Sequence, residues 1–161
     1  MELIGSLISL LPYTLRRCHE FWGSYTADPD MWEGEFVYVE SKIDQYYQSK
    51  VRDPARIFFA ICREGKTVGE IQLKYINRSI ACGTMSIHLA NDSYKNHGWG
   101  TEAEQLMINY AFGQLGLNKI LADCVHRNKR SQHVLEKLGF VHIRDDAVFR
   151  YYQLEKPKTL E

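Results

Sequence analysis

The run Tyr94-Lys95-Asn96-His97-Gly98-Trp99-Gly100-Thr101-Glu102-Ala103 places two glycines one residue apart where a polar loop hands over to an amphipathic segment. From Thr101 to Leu115, residues Ala103, Leu106, Met107, Tyr110, Ala111 and Leu115 recur at helical spacing. A glycine loop that feeds a helix N-terminus suits an anion. The first amides have no intrahelical acceptor, the helix dipole is positive there, and glycine lets a phosphate approach the backbone. Lys95 adds a positive charge at the mouth of the loop. Two glycines alone leave the ligand open. The dinucleotide fingerprint wants a third glycine where Ala103 stands, and the Gly-Lys-Ser/Thr ending of a P-loop is absent. A glycine used only for chain reversal before a helix is the plain alternative.

A second motif narrows the choice. Lys95-x-x-Gly98-x-Gly100 resembles the Arg/Gln-x-x-Gly-x-Gly/Ala loop of the GNAT N-acetyltransferase superfamily. Asn128-Lys-Arg-Ser131 through Leu135, Gly139 and Phe140 resembles the run that follows that loop in the same superfamily. The Ser131 form is most similar to the branch of ribosomal-protein N-terminal acetyltransferases, and the likeness spans residues 56–155. It implies that acetyl-CoA is the cosubstrate, with its pyrophosphate on the amides around His97, Gly98, Trp99, Gly100 and Thr101. Lys95 stands at the loop mouth, Leu89 at the end of the preceding strand, and Asn128 on the pantetheine arm. It also implies that Ser131 faces the thioester sulfur. The sequence departs from the pattern twice: Lys95 replaces Arg or Gln, and Leu135 stands where many members carry a tyrosine acid. That leaves Ser131 as the partner of the departing thiolate. Asn128 also reads as a plain helix N-cap. Arg127, Lys129 and Arg130 read first as an ordinary solvated basic face, the alternative being that one of them meets the adenosine 3′-phosphate.

Acetylating an amine requires its neutral form, so a base must take a proton near neutral pH. His88 and Glu70 are the candidates. His88 ends the strand before the glycine loop, where the family's acceptor approaches, and its ordinary pKa of about 6.5 predicts an ascending rate limb at about 6–7. Glu70 shares a strand face with Gln72 and Lys74, which reads as a solvent-exposed face. Glu102, in the first helical turn, is accounted for by the helix dipole.

The elements that must position these groups follow from periodicity. Thr14 caps a helix to about Tyr25, with Leu15, Cys18, His19 and Trp22 on one face; Ser41 caps a second, with Ile43, Tyr46, Tyr47 and Val51 inward. Ile57–Arg63 and Val68–Tyr75 form a hairpin through Glu64-Gly65-Lys66, and Gly83–Ala90 is a third strand. The glycine-loop helix, a strand at Lys119–Val125, a helix from Asn128 to Gly139, and strands at Phe140–Arg144 and Ala147–Leu154 follow. Residues 3–11 read as a buried or hairpin strand, and Lys156–Glu161 as a frayed tail. The expected fold is a single α/β (α+β) domain over residues 1–161. Its sheet is mixed and mostly antiparallel, with helices on both faces, and the resemblance adds a splayed parallel strand pair that admits the cofactor.

The chain has 161 residues, 45% of them hydrophobic, with 20 basic and 20 acidic side chains. Zero net charge gives no argument for nucleic acid or an anionic membrane as partner. The four cysteines are scattered and read as reduced thiols of a cytoplasmic protein. His126 and His133 do not have metal-ligand spacing, so no metal is expected. The expected partners are acetyl-CoA and an amine acceptor, with a homodimer as the oligomer in view. A domain that binds acetyl-CoA without turnover is the alternative that Leu135 keeps open, and a domain for another phosphate ligand is a third reading.

Overall fold

The computed structural model describes residues 1–30 and 34–158. Eight strands form one sheet: β1 (Leu3–Ile4), β2 (Ser9–Pro12), β3 (Ile57–Arg63), β4 (Lys66–Asn77), β5 (Cys82–Leu89), β6 (Lys119–Val125), β7 (Val141–Asp145) and β8 (Phe149–Glu155). Their order is β1-β2-β3-β4-β5-β6-β8-β7. Helices α1 (Leu15–Ser24) and α2 (Glu40–Val51) precede β3, α3 (Trp99–Gly113) joins β5 to β6, and α4 (Lys129–Lys137) follows β6. Residues 3–11 are therefore two short strands closing on each other, with Leu3 opposite Leu10.

Local chemistry sets most boundaries. The Thr14 hydroxyl accepts from the Arg17 amide at 3.3 Å and starts α1. The β3–β4 turn takes positive φ at Glu64 and Gly65, 51° and 77°, the pattern of a two-residue hairpin whose twist matches its strands. The second helix begins one residue earlier than its expected cap. Val39 occupies the N-cap position without a side-chain bond, because packing of Ile43 against the sheet replaces the capping hydroxyl. Leu15 and Val51, expected inward, are 39% and 46% exposed, because they sit at the ends of their helices and overhang the sheet. Residues 159–161 of the expected tail lie outside the described residues.

The sheet carries two apolar layers. On one face Tyr13, Cys18, Ile43, Ala60 and Cys62 pack beneath α1 and α2. On the other, Met107, Ala111 and Phe112 of α3 and Leu135 of α4 cover Ile71, Leu73, Met85, Ile120 and Ala122. β4 and β5 run antiparallel in close register, with Glu70 opposite His88 and Ile71 opposite Ile87. The parallel contact of β5 with β6 covers only Cys82–Thr84 against Lys119–Leu121. Beyond it the strands part, and β5 changes from buried to half-buried as its partner leaves. The expected mixed sheet with one splayed parallel pair is what the chain forms.

Candidate active site

The splay is a slot through the sheet. A cavity of about 260 Å³ at its α3–α4 end touches the glycine loop, and one of about 390 Å³ continues between the parted strands. Ile87, His88, Glu104, Asn128 and Ser131 line both.

The loop is built to present amides. Asn96 and Gly98 both take left-handed φ, 63° and 80°, and Gly98 is the N-cap of α3. A side chain at 98 would be strained in that conformation, which is why glycine stands there. The first intrahelical bond runs from the Glu102 amide to the Gly98 carbonyl at 3.0 Å, so the amides of Trp99, Gly100 and Thr101 lie ahead of any intrahelical acceptor. Lys95 is buried, and its Nζ donates to Asp28 and, at 3.0 Å, to Asp92. Its charge therefore fastens the loop to the segment after α1 while still lining the cavity. Trp99 packs against Tyr94 and His97, with the Arg63 guanidinium 5.0 Å from its ring.

Leu89, Lys95, Gly98, Trp99, Gly100, Thr101, Asn128 and Ser131 all line the first cavity, together with His88. The His97 side chain does not reach it. It is exposed, stacks on Trp99 at 4.7 Å and bonds the Ser93 carbonyl at 2.9 Å, so only its backbone can serve the loop. Asn128 is the N-cap of α4, its Oδ1 accepting from the Ser131 amide at 3.1 Å, and this fixes Ser131 in the first turn beside the slot. Leu135 is buried at the wall of the second cavity. Of the basic cluster, Arg130 lines the first cavity, whereas Arg127 donates to the Pro29 carbonyl at 2.6 Å.

Glu70 is not solvent-exposed. It is 1% exposed, and its oxygens accept from the Tyr13 hydroxyl at 2.5 Å and the Tyr46 hydroxyl at 2.9 Å. The polar alternation of β4 was expected to face water, but α1 and α2 cover that face, and the two tyrosines satisfy the carboxyl instead. Burial pushes Glu70 up to about 7, with the tyrosine hydrogen bonds and then Lys50 holding it back. His88, its cross-strand partner, has Nδ1 3.8 Å from Glu70 Oε1, buried and without a hydrogen bond. Burial, with the Lys74 ammonium adding to it, pushes His88 down to about 4. Of the two, it is Glu70 and not His88 whose proton is exchanged near neutral pH.

Glu102 does more than complement a dipole. Its two oxygens accept from the Ser6 amide and hydroxyl and from the amides of Leu7 and Ile8, at 2.7–2.9 Å. Gly5 permits this approach, since a Cβ there would lie 2.7 Å from the Glu102 carboxyl carbon. Glu104 is the functional candidate that sequence reasoning passed over. Its place three and seven residues before Met107 and Ala111 puts it on the buried stripe, which was the available signal. Among the described residues no cluster of His, Cys, Asp and Glu could hold a metal ion, and no helix is long and apolar enough to cross a membrane. All four cysteines are buried and unpaired with one another.

Residues 8–141 match the Acetyltransferase (GNAT) domain. An N-acetyltransferase 9-like protein of Nematostella vectensis is 26% identical over 173 residues, covering 96% of this chain and 85% of that one. Among solved structures, a Vibrio cholerae protein described as a ribosomal-protein-serine acetyltransferase superposes with a TM-score of 0.81 at 14% identity, over 97% of this chain and 98% of that one. The spermidine N-acetyltransferase of Vibrio cholerae, solved with CoA and spermine, gives 0.76 at 18% identity over 94% and 96%. At those identities the structural likeness is one of fold. The chain belongs to the GNAT acetyltransferase family, and with it to the acetyl-CoA-dependent acyltransferases.

Proposed function

We propose that this protein transfers the acetyl group of acetyl-CoA to a primary amine, either a protein N-terminus or a small amine, by direct attack in a ternary complex. The observation that carries the reading is the slot. One end holds amides ahead of a helix, suited to a pyrophosphate, and it continues past Ser131 to His88, whose cross-strand partner is Glu70.

In that reading the pyrophosphate rests on the loop amides from His97 to Thr101, and the arm runs past Asn128 into the splay. The amine nitrogen attacks the thioester carbonyl carbon; the carbon–nitrogen bond forms and the carbon–sulfur bond breaks. The amine's proton passes to neutral His88, or through an ordered water, toward the Glu70 carboxylate. That carboxylate half-ionises at about 7, where a base is most useful. The thiolate takes a proton from the Ser131 hydroxyl, which solvent replenishes, and CoA leaves as the free thiol. Leu135 has no proton to give. Most of the rate comes from orienting the thioester and from strand amides on its carbonyl, because β5 has no partner strand on that side beyond Thr84.

The test is thiol release from acetyl-CoA across a panel of peptide N-termini, polyamines and amino-acid derivatives. Amine-dependent release with a matching acetylated product is the expected outcome. Tight acetyl-CoA binding with no release on any amine would leave a binding domain without turnover.

A further inference from the structure

Glu104 sits on α3 one turn past the loop, 4% exposed, and lines both cavities where they meet. Its Oε2 is buried and has no hydrogen-bond partner among the described residues. An unpaired buried carboxyl is costly, and proteins keep few of them. Asp123, which lines the second cavity, is exposed, and the other nearby acids are bonded. Asp28 holds Lys95, and Glu70 is bonded by two tyrosines. Among the described residues, Glu104 Oε2 and His88 Nδ1 are the buried polar atoms of the passage without a hydrogen bond, and Glu104 is the acid of the two.

We propose that Glu104 is a cofactor-binding residue, its carboxyl donating a hydrogen bond to a carbonyl oxygen of the acyl-bearing arm of acetyl-CoA as the arm passes from the glycine loop into the splay. This rests on the acetyl-CoA reading above and names the side chain that recognises the arm apart from the phosphates. The arm supplies amide and thioester carbonyls and so needs donors. A carboxyl meets that need only while protonated, and burial pushes Glu104 up to about 8. Around the two cavities the other ionisable groups are His88 of β5, the Lys95–Asp28 pair, and Arg130 and His133 of α4. Deeper in the slot are Lys74, Asp123 and Cys124. None of these offsets the burial of Glu104.

The sign of the pH dependence follows. Below about 8 the carboxyl is neutral and donates. As pH rises through about 8 it loses the proton, and acetyl-CoA affinity falls.

The experiment measures dissociation constants by calorimetry from pH 6.5 to 9.5, for acetyl-CoA and for ADP, which carries a pyrophosphate but no arm. Wild type is expected to lose acetyl-CoA affinity above about pH 8. Glu104→Gln, which keeps a donor, should bind within about twofold at pH 7 and lose the alkaline fall, and Glu104→Leu should bind acetyl-CoA about tenfold more weakly at pH 7. ADP should be indifferent to either change. The other ionisable groups are common to all three proteins, so the difference in pH profile isolates residue 104. Glu104→Leu binding acetyl-CoA as wild type does, or Glu104→Gln binding as weakly as Glu104→Leu, overturns the proposal. Thermal unfolding checks that each variant folds. Wild type that binds ADP but discriminates against acetyl-CoA at every pH defeats the acetyl-CoA reading itself, a result distinct from failure of the Glu104 variants alone.

Discussion

Glu70 and Glu104 are the same side chain, both almost wholly buried, Glu70 on β4 across from His88 and Glu104 on α3 lining the slot. Glu70 accepts from two tyrosine hydroxyls, whereas Glu104 Oε2 has no hydrogen-bond partner among the described residues. Burial raises both, but the hydrogen bonds favour the ionised form, so Glu70 stops at about 7 while Glu104 reaches about 8. Near neutrality the first can take a proton and the second keeps its own. The difference lies in the neighbours: Tyr13, just before α1, and Tyr46 of α2 meet Glu70 on one face, and the opening between α3 and α4 leaves a cavity at Glu104 on the other.

Removing the proposed base should have the largest effect. Glu70→Gln is expected to lower kcat/KM by about a hundredfold on its plateau and to abolish the ascending limb through about 7. The limb ascends because the ionised form is the active one. His88→Ala should lower the rate yet leave the limb in place; if the limb vanished instead, the comparison would have assigned the titration to the wrong group. Next comes Gly100→Val, expected to weaken acetyl-CoA binding more than tenfold by crowding the phosphate. A Cβ at 100 would meet Leu89 and Ile87 only at 3.7 and 3.9 Å, so the protein itself accommodates it. Unchanged affinity in the folded variant would place the ligand away from both acids.

Tyr46→Phe makes Glu70 more like Glu104. With one donor gone, the ionised form loses support, and the limb should move to higher pH with a modest loss of rate at pH 7. A limb that stayed put would mean that the tyrosines position Glu70 without tuning it. The smallest effect is expected at Cys124, which lines the slot near Ser131. Burial raises its thiol, so it is a poor nucleophile, and Cys124→Ala should leave turnover within a few-fold. Abolished activity in a folded variant would point to an acetyl-cysteine route.

What could be read from the chain divides along the range of the forces involved. The β3–β4 hairpin, the Thr14 and Asn128 caps and the Gly98–Gly100 helix start are local, written in turn residues, hydroxyls and period. The fate of Glu70 is not local. Alternation placed it correctly beside Gln72 on one face, but only the packing of α1 and α2 decides whether that face meets water or tyrosine. Glu104 failed the opposite way. Its helical position marked it as buried, but a carboxylate on an apolar stripe is discounted unless its neutral form is considered. The splay itself was visible through family likeness, because strand separation depends on pairing between distant segments.

The Glu102 clamp bears on the order in which the molecule is assembled. Its carboxylate accepts from residues 94 to 96 positions earlier in the chain. During synthesis from the N-terminus, the amides of Ser6, Leu7 and Ile8 remain hydrated until the first turn of α3 has emerged and docked. The β1–β2 turn and the glycine loop therefore mature in one late step, although β2 itself can already pair with β3. A nascent chain halted before Glu102 would hold the turn at Ser6–Ile8 only loosely.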